Sequence, residues 1–180
     1  MNAARVVALL IIAVGSGSAG CGDSSGTPSR APDPFNAPAA CTSGTMRDTN
    51  ETEGDLMMPG HACNACHEEE NAATGEGAPV FRFAGTIYPS GHEPDGCVGS
   101  HAHLAEVRVR DAAGFVFAAP ANASGNFMLE TTHALISPYS AEVHFQGRVR
   151  PMLTPQTSGD CNACHTQDGT MGAPGRVALP

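Results

Sequence analysis

The chain has 180 residues, a formal net charge of −9 and 41% hydrophobic residues, with only 5% aromatic residues and no Trp. That is room for one modest domain with appended segments and excludes a large multidomain enzyme. The nine basic residues are all Arg, set against 18 acidic ones, so a Lys-lined docking face is excluded and duplex nucleic acid is not an expected partner. Gly and Pro, 21 and 14 residues, favour turns, short strands and irregular backbone over a helical bundle. Seven Cys, an odd number, need explaining, because an exported oxidised domain uses cysteines in pairs.

In chain order, residues 1–20 read as a signal peptide: Arg5 supplies a positive charge, Val6 to Val14 form an apolar run, and Gly15 to Gly20 are small. The apolar run is too short to span a bilayer as a helix. Ser18-Ala19-Gly20 directly before Cys21 resembles the lipobox of bacterial lipoproteins. The resemblance implies acylation of Cys21, which would anchor the chain at the outer membrane on its periplasmic or cell-surface side. An ordinary signal peptide with an incidental Cys21 is the alternative. Residues 21–40 place Pro28, Pro32, Pro34 and Pro38 among Ser, Ala and Gly, the composition of a flexible, semi-extended linker.

The next segment, 41–79, contains Cys63-Asn64-Ala65-Cys66-His67, and the last, 151–180, contains Cys161-Asn162-Ala163-Cys164-His165. Both are CxxCH, the attachment signature of c-type haem. Two thiols at this spacing can add to the two vinyl groups on one porphyrin edge, and the next imidazole, His67 or His165, then reaches the iron as proximal ligand. Zinc ribbons and thiol–disulfide motifs also use CxxC, but neither needs an imidazole in the same place twice. The expected cofactors are therefore two covalently bound haem c groups. Leu56-Met57-Met58-Pro59-Gly60 resembles the stretch that precedes CxxCH in a group of small exported bacterial cytochromes. It implies Met57 as distal ligand of the first iron, with Met58 and His61 as alternatives. Met152 stands in the analogous place before the second motif, with Met171, His92 and His144 also open. Each Met has packing as its other reading.

Residues 80–150 change character. Phe81, Phe83 and Ile87 alternate with Arg82 and Thr86, Val107 and Val109 with Arg108 and Arg110, and Ala141, Val143 and Phe145 with Glu142 and His144. Period two predicts half-buried antiparallel strands, with turns at Asp111 to Gly114 and Asn122 to Asn126. Phe115, Phe117, Phe127 and Leu129 are expected to complete their core. Gly85-Thr86-Ile87, the run Val107 to Gly114, and Ser124-Gly125-Asn126-Phe127 resemble the strand and turn motifs of carboxypeptidase regulatory-like, or prealbumin-like, domains. The resemblance implies a mainly β fold: a small antiparallel Ig-like β-sandwich flanked by irregular or short-helical haem-binding segments, serving as scaffold without catalysis.

Cys41 and Cys97 remain, and are expected to form a disulfide between the end of the linker and the loop of residues 88–103, with free thiols as the alternative. His101 and His103 would share one face of a strand and so invite a metal, although a solvated strand entrance explains them as well. Glu51, Glu53, Asp55 and Glu68, Glu69, Glu70 bracket the first motif and would steer a basic redox partner if they are more than a solvated face. The functional expectation is a non-enzymatic, membrane-anchored dihaem electron carrier with redox-protein partners. A dihaem peroxidase with one open iron site and a structural zinc-binding surface module are the alternatives.

Overall fold

Among the residues described by this computed structural model, 32–48 and 54–180, the chain forms seven strands and one α-helix. The signal segment, Cys21, and Glu51 and Glu53 lie outside the described residues. Strand β1 (Phe83–Tyr88) runs between β4 (Asn126–Leu129) and β7 (Val177–Ala178) in one sheet. The second sheet has the order β3 (Val116–Pro120), β2 (Glu106–Arg110), β5 (Ser140–Phe145), β6 (Arg148–Pro151). All neighbours are antiparallel except β1 and β7. The helix, α1, spans Cys63–Thr74, and no helix among the described residues is long and apolar enough to cross a membrane.

The fold is mainly β, with an arrangement compatible with a β-sandwich. Phe83, Ile87 and Phe127 of the first sheet share one buried cluster with Val107, Val109, Ala119 and Val143 of the second. Burying each such side chain stabilises the fold by about 1.5–3 kcal/mol. Arg108 and Arg110 face solvent between the buried valines, as their alternation predicts. Both turns form as expected: Asp111 Oδ1 accepts the N–H groups of Ala113 and Phe115, each at 2.9 Å, and Asn122 Oδ1 those of Ser124 and Asn126 at 3.0 and 3.1 Å.

Two expectations need correction. Phe115 is 60% exposed, because it sits in the turn beyond the end of the β2–β3 ladder, where no strand faces it. All six residues of β1 are buried, Thr86 included, since its second face is covered by the two CxxCH segments. The final segment, 151–180, joins the first sheet. Gly159 O accepts the Ala84 N–H at 2.9 Å, Asp160 bridges Ala84 in parallel, and β7 pairs with Ile87 and Tyr88, so this segment lines one edge of β1. Residues Pro34–Asn36 form a 3-10 turn, with the Phe35 ring against Gly91 and the Arg150 guanidinium 5.8 Å from the ring centre.

Cys41 and Cys97 are bonded to each other, closing a sequence separation of 56. Beside them Glu93, fully buried, accepts from Thr42 N at 2.9 Å and Thr42 Oγ1 at 2.6 Å.

Candidate functional site

In the first motif, Cys63, Cys66 and His67 stand at positions i, i+3 and i+4 of one helix, so all three share a face. The helix start lacks a local side-chain cap, and its third N–H, from Ala65, donates instead to Asp160 Oδ2 at 3.0 Å. Asn64 clasps the backbone of Phe81, donating to its O at 2.9 Å and accepting from its N at 2.8 Å. After Gly75 ends the helix, Asn71 holds Ala78 through both its amide atoms, which brings the next carbonyl, Pro79 O, to His67 Nδ1 at 2.5 Å. A carbonyl oxygen only accepts, so Nδ1 carries the proton and Nε2 keeps its lone pair. This is the tautomer in which an imidazole binds a metal.

The second motif opens with a 3-10 turn, Cys161–Ala163. Cys161 lies directly on β1 at Gly85, where an added Cβ would come within 2.9 Å of the Cys161 Cβ and 2.8 Å of the Phe127 ring. His165 repeats the arrangement of His67: Nδ1 faces Gly175 O at 2.8 Å, again leaving Nε2 with its lone pair. Burial lowers the His165 pKa below the ordinary imidazole range, partly offset by the Gly175 bond, which favours the neutral, ligating form. Gly175 admits no side chain, because its Cβ would fall 2.2 Å from Gly91 O.

Both motif segments meet on β1, although 94 positions separate His67 from Cys161 in the sequence.

 The hydrogen bonds that close this gap are specific. Asn162 Nδ2 donates to His61 O at 2.8 Å and to Thr86 Oγ1 at 3.1 Å, while its Oδ1 accepts from Thr86 N at 3.0 Å. The Thr86 hydroxyl also accepts from Gly60 N at 2.9 Å and donates to Asn126 Oδ1 at 2.8 Å, which fills its one donor and two acceptor sites. Arg176, fully buried, donates to Glu93 O at 2.8 Å, Gly60 O at 2.9 Å, His165 O at 3.3 Å and the Asp95 carboxylate, with Tyr88 stacked at 5.4 Å. Burial pushes the Cys63 and Cys161 thiols up to about 12; the Asp160 carboxylate adds to both shifts, and Cys63 adds to that of Cys161. The first cysteines of the two motifs are thus electrostatic neighbours.

Met57 is half-buried, its carbonyl held by Asn126 Nδ2 at 2.9 Å. Met152 packs against the hydrophobic cluster, and Met171 is 78% exposed. His92 faces carbonyl oxygens with both ring nitrogens, Gln167 O at 2.7 Å and Phe35 O at 3.1 Å, which leaves neither for a metal. His144 Nε2 contacts Glu142 at 2.9 Å. His101 precedes a 3-10 turn, Ala102–Leu104, so the shared strand face expected for His101 and His103 does not form. A surface cleft of about 460 Å³, lined by Thr42, Ser100, His101 and Phe145 among others, contains no motif residue.

Sequence reasoning passed over the roles of Asp160, Thr86 and Arg176, which reach partners as far as 95, 76 and 116 positions away. The repeated Asn was the available signal, since Asn162 docks on β1 at Thr86 and Asn64 on Phe81, just before that strand.

Among the described residues, the group able to converge on a metal ion is Cys41, Glu93 and Cys97, but its sulfurs are bonded to each other and its carboxylate is held by Thr42. The four motif cysteines do not form such a cluster, whereas all four carry free thiols. Free thiols in two CxxC pairs, each followed by an imidazole whose Nδ1 is held by a backbone carbonyl, fit the donor chemistry of covalently attached haem. No protein-family model, curated protein or solved structure matches this chain.

Proposed function

We propose that the protein is a non-enzymatic electron carrier with two covalently bound haem c groups, exported and anchored at the outer membrane through Cys21. The observation that carries this reading is the repeated tautomer: in both CxxCH motifs the histidine Nδ1 is tied to a backbone carbonyl and Nε2 is left for iron. Cys63 and Cys66 would hold one haem with His67 as proximal ligand, and Cys161 and Cys164 the other with His165. Bound haem would supply a one-electron iron couple, while this chain's residues supply attachment, orientation and burial. Met57 is proposed as the distal ligand of the first site. Met152 is the counterpart at the second, although packing alone accounts for its position. The sandwich, on this reading a prealbumin-like Ig-like domain, is scaffold.

The exposed Glu68, Glu69 and Glu70 follow His67 on α1 and suit a basic redox partner. The zinc alternative is disfavoured, because a structural zinc site needs four converging ligands. A pyridine haemochrome assay on protein matured in a cytochrome c-producing host tests the proposal. Two haems per chain are expected; zinc without haem would refute it. Carbon monoxide binding separates carrier from peroxidase, since a carrier with two six-coordinate irons leaves the gas no open position.

A further inference from the structure

We infer that Asp160 is a positioning residue shared by both attachment sites, its single carboxylate holding the helix of the first motif and the first cysteine of the second as one unit. The inference rests on the haem reading above. Asp160 Oδ2 accepts from Ala65 N at 3.0 Å and so caps α1 from 95 residues away. A side-chain cap stabilises a helix start, and a negative charge there adds to it. The same residue bridges Ala84 of β1 and directly precedes Cys161, so the cap and the second motif cannot move independently.

Its other oxygen carries the functional part of the argument. Asp160 is 8% exposed, and Oδ1 has no hydrogen-bond partner. A buried polar atom without a partner is costly and calls for a reason. Here Asp160 directly precedes Cys161 and, through its bond to Ala65 N, sits at the start of the helix that opens with Cys63; these are thiols through which both haems would be attached. A fixed negative charge near an iron couple stabilises the more positive, oxidised state and lowers the potential. One carboxylate therefore biases both sites in the same direction.

The test is a spectroelectrochemical titration of the loaded protein. Asp160→Asn keeps a side-chain oxygen to accept from Ala65 N and removes the charge, so both midpoint potentials should rise while the haem count stays at two. Asp160→Ala, which also removes the cap, should add a loss of helix signal. Two haems with only one potential moved by Asp160→Asn, or neither, would overturn this inference alone. Absence of haem from the wild-type protein would overturn it together with the reading it rests on.

Discussion

Replacing Thr86 with Val tests whether the polar junction beneath the two motifs holds the fold together. Val has nearly the same shape and is more apolar, so at a fully buried position simple hydrophobicity predicts no loss. Hydrogen-bond accounting predicts the opposite. Without the hydroxyl, Gly60 N–H and Asn126 Oδ1 lose their partners, whereas Asn162 Nδ2 still has His61 O. Each newly orphaned buried group costs about 1–3 kcal/mol, so Thr86→Val should destabilise by roughly 4 kcal/mol, a large part of a typical domain's 5–15 kcal/mol. Thr86→Ser keeps the hydroxyl and loses one methyl, at a cost of about 1 kcal/mol. Urea unfolding followed by circular dichroism reads the difference. With a slope of about 2 kcal/mol per molar, the Val midpoint should fall by about 2 M and the Ser midpoint by about 0.5 M. A Val variant as stable as wild type, or a Ser variant less stable than Val, would refute the reasoning.

Three other outcomes follow from the same geometry. Cys41→Ser with Cys97→Ser removes a crosslink over a sequence separation of 56 and should cost about 4 kcal/mol in unfolding experiments. In protein made without haem, Cys63 and Cys161, pushed up to about 12, are mostly protonated at pH 9. Mass-spectrometric alkylation there should run roughly a few hundred-fold slower than at an ordinary thiol, with the gap narrowing as pH rises toward 12. Phe35→Ala should cost about 1–2 kcal/mol for a half-buried ring and make the segment around Pro34–Asn36 more sensitive to limited proteolysis.

The strands and turns were legible because their signals are local. Alternation marked Val107 and Val109 as inward, and Asp111 and Asn122 fold onto their own neighbours. What failed to show was tertiary. Thr86 looks like the solvent-facing residue of a half-buried strand, and nothing nearby says that a segment 76 positions later covers it. Arg176, in a Gly- and Pro-rich tail, reads as exposed charge, yet it is buried because its donors meet backbone carbonyls from three separate segments. Phe115 misled in the other direction, since apolar character alone does not reveal that the sheet has ended. The CxxCH residues were visible as a spacing, whereas their adjacency was not.

The distant cap on α1 also has a kinetic consequence. The N–H of Ala65 meets its acceptor only when residue 160 is present, and the edge of β1 is completed only by residues 159–160 and 177–178. Contacts this far apart in sequence make folding slow and late relative to chain synthesis. An emerging chain that has passed its first pentapeptide therefore has no finished place to dock it. The last 30 residues act as the closing stitch, and a chain truncated before them should leave the first half open as well.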